Sequence, residues 1–122
     1  MPNKRIKIAI VGIGNCCSSL VQGLTYYKNA KDDQQVVGLM HTVLGGYRIS
    51  DIEVVAAFEV NKTKVGLDLA DAIYTKPNNT KVFAKVKKTG VIVQNAKVMD
   101  GIGEYLKDVI EVSKKPIPDP VK

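Results

Sequence analysis

Apolar residues fall along this chain in two kinds of run. Lys7-Ile8-Ala9-Ile10-Val11 and Val54-Val55-Ala56-Ala57-Phe58 are almost unbroken and rich in β-branched residues, the pattern of strands covered on both faces. Elsewhere the apolar positions recur at helical spacing. Leu20, Val21, Leu24 and Tyr27 follow the first run, and Val65, Leu69, Ala72 and Ile73 follow the second, with Asn61 or Thr63 placed to cap that helix. Ile102, Tyr105, Leu106, Val109 and Ile110 predict a last helix behind Asp100 as N-cap. Two weaker strand patterns lie between these. Val82, Ala84 and Val86 alternate with Lys81, Phe83 and Lys85 in an edge-like way, and Val91-Ile92-Val93 predicts a short third strand behind Gly90.

Breakers divide these elements. Polar residues 28–35 end the first helix, Pro77-Asn78-Asn79 ends the second, and residues 113–122 form a proline-rich tail. Residues 28–50, apolar but holding Gly38, Gly45 and Gly46, read as an ordered insertion to which the pattern assigns no local structure. The resulting order, β-α-(insertion)-β-α-β-α, defines an α/β chain. It predicts a Rossmann-type parallel sheet, of which strands 1–3, the first half, are supplied.

Composition narrows the picture only a little. The 122 residues are 45% hydrophobic and 25% charged, ordinary for one globular domain. No apolar run approaches the roughly 20 residues that span a bilayer. The adjacent Cys16 and Cys17 do not form a CxxC pair, and a reduced, cytoplasmic chain is the simplest reading. The net charge of +6 comes from lysines spread along the sequence, densest at Lys81, Lys85, Lys87 and Lys88. With two Phe and no Trp as stacking platforms, they read as a solvated face rather than a nucleic-acid surface.

Candidate chemistry is concentrated at Gly12-Ile13-Gly14-Asn15-Cys16-Cys17, which follows the first strand without a gap and opens the first helix. In such a turn the first glycine permits the sharp bend and the second lets the backbone approach a pyrophosphate. The free N–H groups from Asn15 to Cys17 then point at the anion. Cys17 stands where glycine or alanine is usual. An acidic residue ends the second strand of such folds about 20 residues past the glycines and bonds the adenosine ribose. Glu59 holds that place 45 residues after Gly14, the insertion accounting for the delay. A carboxylate there favours NAD over NADP, although Lys62 and Lys64 nearby weaken the argument. Cys16 reads as packing or cofactor wall, His41 as a loop or core histidine, and Asp100 mainly as a helix cap. No catalytic residue and no metal site is identifiable.

These residues carry a resemblance. VGIGNCCSSLVQGLTYY, GLMHTVLGGYRISDIEVVAAFEVNKTKVG, KPNNT and DGIGEYLKDVIE, in order from Val11 to Glu111, are together similar to the N-terminal part of myo-inositol-phosphate synthase of the prokaryotic type. Cys17 and Glu59 depart from that pattern, which has a smaller residue after Asn-Cys and the shorter Asp at the strand end. The resemblance implies conversion of glucose 6-phosphate to inositol phosphate, with NAD oxidising the sugar, an aldol closure, and reduction by the NADH formed. It assigns Gly12, Gly14, Asn15 and Cys16 to the pyrophosphate and Glu59 to the ribose.

Members of that family are much longer, and their catalytic lysines lie in a later catalytic and oligomerisation domain with no counterpart here. Residues 1–122 are thus expected to be a partial NAD-binding domain, inactive alone. The expected partners are glucose 6-phosphate once that domain is present, and a second copy or another chain that completes the fold. No nucleic acid or membrane is expected. The alternative is a non-catalytic nucleotide-binding or interaction module, or one piece of a split synthase. A short-chain dehydrogenase is disfavoured, because neither Tyr26-Tyr27-Lys28 nor Tyr105-Leu106-Lys107 has Tyr-x-x-x-Lys spacing.

Overall fold

The structure, a computed structural model, describes residues 5–31, 35–99 and 108–118. Its centre is a three-stranded parallel sheet. Strand β1, Ile6–Val11, pairs with β4, Ile52–Glu59, which pairs on its other side with β5, Gln94–Asn95. The second long strand therefore lies between the first and third, as the 3-2-1 half of a doubly wound sheet requires. Helix α1, Asn15–Tyr27, follows β1 directly.

The core fills one face of this sheet. Ile13, Cys17 and Val21 pack with Ala57, Leu69, Ala72, Ile73 and Val93, and Ile10 and Val54 press against them. The pairing of β1 with β4 shifts between Ile8/Val54 and Ala9/Ala56, so Val55 is an extra residue. Such a bulge resets the two-residue alternation, which is why Val54 and Ala57 both face the core while Val55 is exposed. Coverage on both faces, expected from the unbroken apolar run, is not found for β1 among the described residues. Val11 is 78% exposed, and among the described residues the outer edge of β1 has no partner strand.

Three other expectations are corrected. The helix after β4 shrinks to α2, Leu69–Ala72. Asn61 caps only a turn, accepting Thr63 N–H, and Gly66 at φ +92° interrupts the helical path. Asp68 then starts α2 by accepting Ala70 N–H at 2.9 Å. The predicted apolar face survives, since Val65, Leu69, Ala72 and Ile73 are all buried.

Lys81–Val86 is not a strand, because its backbone is engaged by two side chains. Gln22, fully buried on α1, accepts Phe83 N–H and Ala84 N–H, while Tyr74 donates to Ala84 O and accepts Val86 N–H. Val91–Val93 is extended but bonds the loop before α2, through Val93 N–H to Leu67 O, Gly66 N–H to Val93 O and Leu69 N–H to Val91 O. The ladder to β4 therefore begins later, at Gln94.

The helix expected from Asp100 lies mostly outside the described residues; Asp108 and Val109 form a turn. Ser113 N–H then returns to Val60 O at 2.7 Å.

Inside the insertion, Val43–Leu44 (β2) and Tyr47–Arg48 (β3) form a minimal antiparallel hairpin. Its turn is Gly45-Gly46, with φ of +59° and +83°. Two consecutive positive-φ residues make the tight hairpin turn that glycine favours. A single 3₁₀ turn, Ile49–Asp51, leads into β4.

Candidate functional site

At the end of β1 the ladder continues one bond further, Gly12 N–H donating to Phe58 O at 2.8 Å. The chain then bends away at φ +93°, a conformation that only glycine adopts without strain. Gly14 is different. It has ordinary extended backbone and is the N-cap of α1. A Cβ built on it meets nothing within 4 Å. Among the described residues nothing requires glycine there, so the space its missing side chain leaves is open to a ligand's approach.

The helix begins at Asn15, and Ser18 N–H is the first to reach a helical acceptor, Gly14 O at 3.0 Å. The N–H groups of Asn15, Cys16 and Cys17 have no acceptor within the helix, and the helix dipole favours negative charge beside them. Geometry and electrostatics both suit an anion at this turn.

Between the glycines, Ile13 is buried and both of its backbone polar groups are held by side chains. Its N–H donates to Glu59 Oε2 at 2.8 Å. Its carbonyl accepts Lys64 Nζ at 2.7 Å and Asn78 Nδ2 at 3.1 Å. Asn78 Oδ1 in turn accepts Lys64 Nζ at 2.8 Å. Glu59 thus arrives from the end of β4, where its own carbonyl is fixed by Ala96 N–H at 3.0 Å. Lys64, only 2% exposed, comes from the turn after β4, and Asn78 from the loop after α2. Burial pushes the Lys64 ammonium below its ordinary value, and the Glu59 carboxylate opposes that fall.

The structure brings together most of the residues singled out from sequence. Gly12, Ile13, Gly14 and Glu59 form one contact group. Asn15 is on the rim, but its side chain is occupied: Oδ1 accepts the N–H of Asn79 and Thr80 and the Thr80 hydroxyl. Cys16 is exposed at the helix start, whereas Cys17 is buried, its thiol pushed up to about 11 by burial, with Lys64 opposing. Cys17 therefore offers its backbone N–H, not its sulfur. His41 is exposed in the insertion. Among the described residues no cluster of three or more His, Cys, Asp or Glu is placed to hold a metal.

Lys64 and Asn78 join the turn although the glycine motif does not point to them. The polar Pro77-Asn78-Asn79-Thr80 loop carried a signal, four residues rich in backbone-bonding side chains after a helix. Lys64 carried none, and its sequence proximity to Glu59 suggested a ribose-side charge instead. It is sealed beneath the turn, and Lys62 is paired with Glu111 at 3.0 Å on the surface.

The parallel sheet, the β1–turn–α1 unit and the acidic end of β4 make this a Rossmann-type α/β chain. Comparison with known proteins carries the description further. The chain is 52% identical to inositol-3-phosphate synthase of Mycolicibacterium smegmatis over 96% of its own length and 32% of that protein. Against the Mycobacterium tuberculosis H37Rv enzyme the figures are 54%, 88% and 29%, and against that of Corynebacterium glutamicum 45%, 93% and 31%. Over most of its length the chain is a homologue of the inositol-3-phosphate synthases, and it spans about a third of the curated relatives it matches. No protein-family model matches it. Among solved structures, Ari2 superposes with a TM-score of 0.68 at 29% identity, covering 77% of this chain and 29% of that one. A myo-inositol-1-phosphate synthase-related protein from Thermotoga maritima superposes at 0.51 and 21% identity, covering 75% and 22%, a likeness of fold.

Proposed function

We propose that this chain binds the adenosine-diphosphate half of NAD at the Gly12–Cys17 turn, as the cofactor-binding part of an inositol-3-phosphate synthase. The observation that carries the reading is the open space at Gly14 beside three N–H groups without helical acceptors. Gly14, Asn15, Cys16 and Cys17 would contact the pyrophosphate through backbone. Glu59 has one oxygen on Ile13, which leaves the other for the ribose hydroxyls. The engagement of Lys64 by Ile13 and Asn78 supports NAD over NADP, because that buried ammonium is not free to meet a 2′-phosphate. When bound, NAD supplies a hydride acceptor and donor. The residues of this chain hold and orient the cofactor, and the conversion of glucose 6-phosphate needs groups beyond those described here.

Calorimetric titration with NAD and NADP tests the reading. Saturable binding of NAD, with NADP weaker by about tenfold or more, is expected. Equal affinity for both, or binding of neither, contradicts it.

One observation favours a further strand on this sheet, from the same polypeptide or from another. The outer edge of β1 has no partner strand among the described residues, and Ala9 and Val11 on that strand are exposed. An unpaired apolar strand edge associates readily. Concentration-dependent association in sedimentation velocity is the expected result; a monomer at every concentration counts against it.

A further inference from the structure

A peptide unit is planar and trans, so a carbonyl and the N–H of the next residue point in opposite directions. The Ile13 carbonyl is drawn inward by Lys64 Nζ and Asn78 Nδ2. The Gly14 N–H in the same peptide must therefore point away from Lys64 and Asn78, and a side chain at Gly14 would meet open space. That N–H joins the N–H groups of Asn15, Cys16 and Cys17 as a donor. The peptide before Ile13 is fixed separately, by its N–H on Glu59.

This places a carboxylate directly under an anion-binding turn, which by itself would repel a phosphate. Lys64 is the positive charge buried on the other side of the same residue. Burying an ammonium is costly unless it is paired and hydrogen-bonded, and a turn needed only for its shape could be held by a neutral donor. Asn78 already supplies one. The cation adds what a neutral donor lacks, a fixed positive potential behind the turn.

We propose that Lys64 is a positioning residue for phosphate binding: it orients the Gly14 N–H and offsets the charge of Glu59, so that a diphosphate can sit over the turn. The proposal rests on the dinucleotide reading given above. It is specific to phosphate, and it predicts opposite effects at the two charges.

The test compares the affinities of the chain for ADP and for adenosine in wild type, Lys64→Met and Glu59→Gln. In Lys64→Met the ADP-to-adenosine affinity ratio falls by about tenfold. In Glu59→Gln, which leaves the cation unbalanced, the ratio rises by about threefold. A role confined to holding the fold lowers both ligands equally and leaves the ratio unchanged, which overturns the proposal. Should Lys64→Met fail to fold, Glu59→Gln decides: an unchanged or lower ratio overturns the proposal. A wild-type chain that binds neither ADP nor NAD overturns the dinucleotide reading itself, whereas wild-type binding with an unmoved ratio in the variants overturns only the role of Lys64.

Discussion

Glu59 and Ile13, 46 residues apart, meet through a 2.8 Å hydrogen bond from the Ile13 N–H to the Glu59 carboxylate. That contact ties the end of β4 to the turn after β1, and so couples the ribose side of the proposed site to its pyrophosphate side. Removing the carboxylate charge therefore acts on both sides at once, in opposite directions: it weakens the ribose contact and relieves repulsion of the diphosphate. The contact also defines which residues around the turn are free for a ligand and which are already committed.

The two glycines of the turn have separable roles. Gly12 needs its positive φ, so Gly12→Ala lowers stability by about 1–3 kcal/mol in chemical denaturation. Gly14 has extended backbone with open space around it, so Gly14→Ala changes stability by less than about 1 kcal/mol. Its expected effect falls on the ligand instead. NAD affinity drops by about tenfold, because the added methyl occupies the approach to the backbone.

The adjacent cysteines differ sharply in chemistry. Cys16 is exposed, while Cys17 is buried with its thiol raised to about 11. The thiolate is the reactive form, so Cys17 stays protonated throughout the neutral range. Alkylation of the native chain near pH 8, read by peptide mass spectrometry, should label Cys16 and spare Cys17. Unfolding should expose both. Equal labelling in the native state contradicts the placement of Cys17 in the core.

Asp68 joins α2 to the segment before β5. Burial pushes its carboxyl up, but the hydrogen bonds it accepts from Ala70 N–H, from Thr89 N–H and hydroxyl, and from Gly90 N–H outweigh that and hold it below 3.8. A carboxylate depressed in the folded state stabilises above its unfolded value, and the contribution is lost as pH falls through the folded one. Asp68→Ala should therefore cost about 1 kcal/mol at pH 7. The gap between wild type and variant should narrow as the pH is taken below 3.8. A gap that stays constant with pH would show that the charged form is not what stabilises.

Much of this arrangement was legible in the chain because it depends on local rules. The glycine turn between an apolar run and a helical period placed β1 and α1, and the second apolar run placed β4 within a residue or two. The acidic strand end at Glu59 follows from the same reading. What escaped depends on side chains that act as backbone partners over long sequence distances. Gln22 and Tyr74 take N–H groups that a strand over residues 82–86 would need, and Asp68 and Gly66 cut short a helix whose apolar face keeps the expected spacing. Lys64 is the clearest case. Its place five residues after Glu59 reads as a charge near the ribose side, and only the loop carrying Asn78, folding back onto Ile13, makes its burial possible. In the insertion the signal was present, since Gly45-Gly46 between Val43-Leu44 and Tyr47-Arg48 is a tight-hairpin sequence.

The central claim, that the Gly12–Cys17 turn holds the diphosphate of NAD, is tested most directly by residue-resolved NMR of the isotope-labelled chain titrated with ADP. Saturable shifts at the amides of Gly14, Asn15, Cys16 and Cys17, absent with adenosine, are the predicted result. Saturable shifts elsewhere with those four amides unmoved, or no saturable shift at all, would contradict the claim.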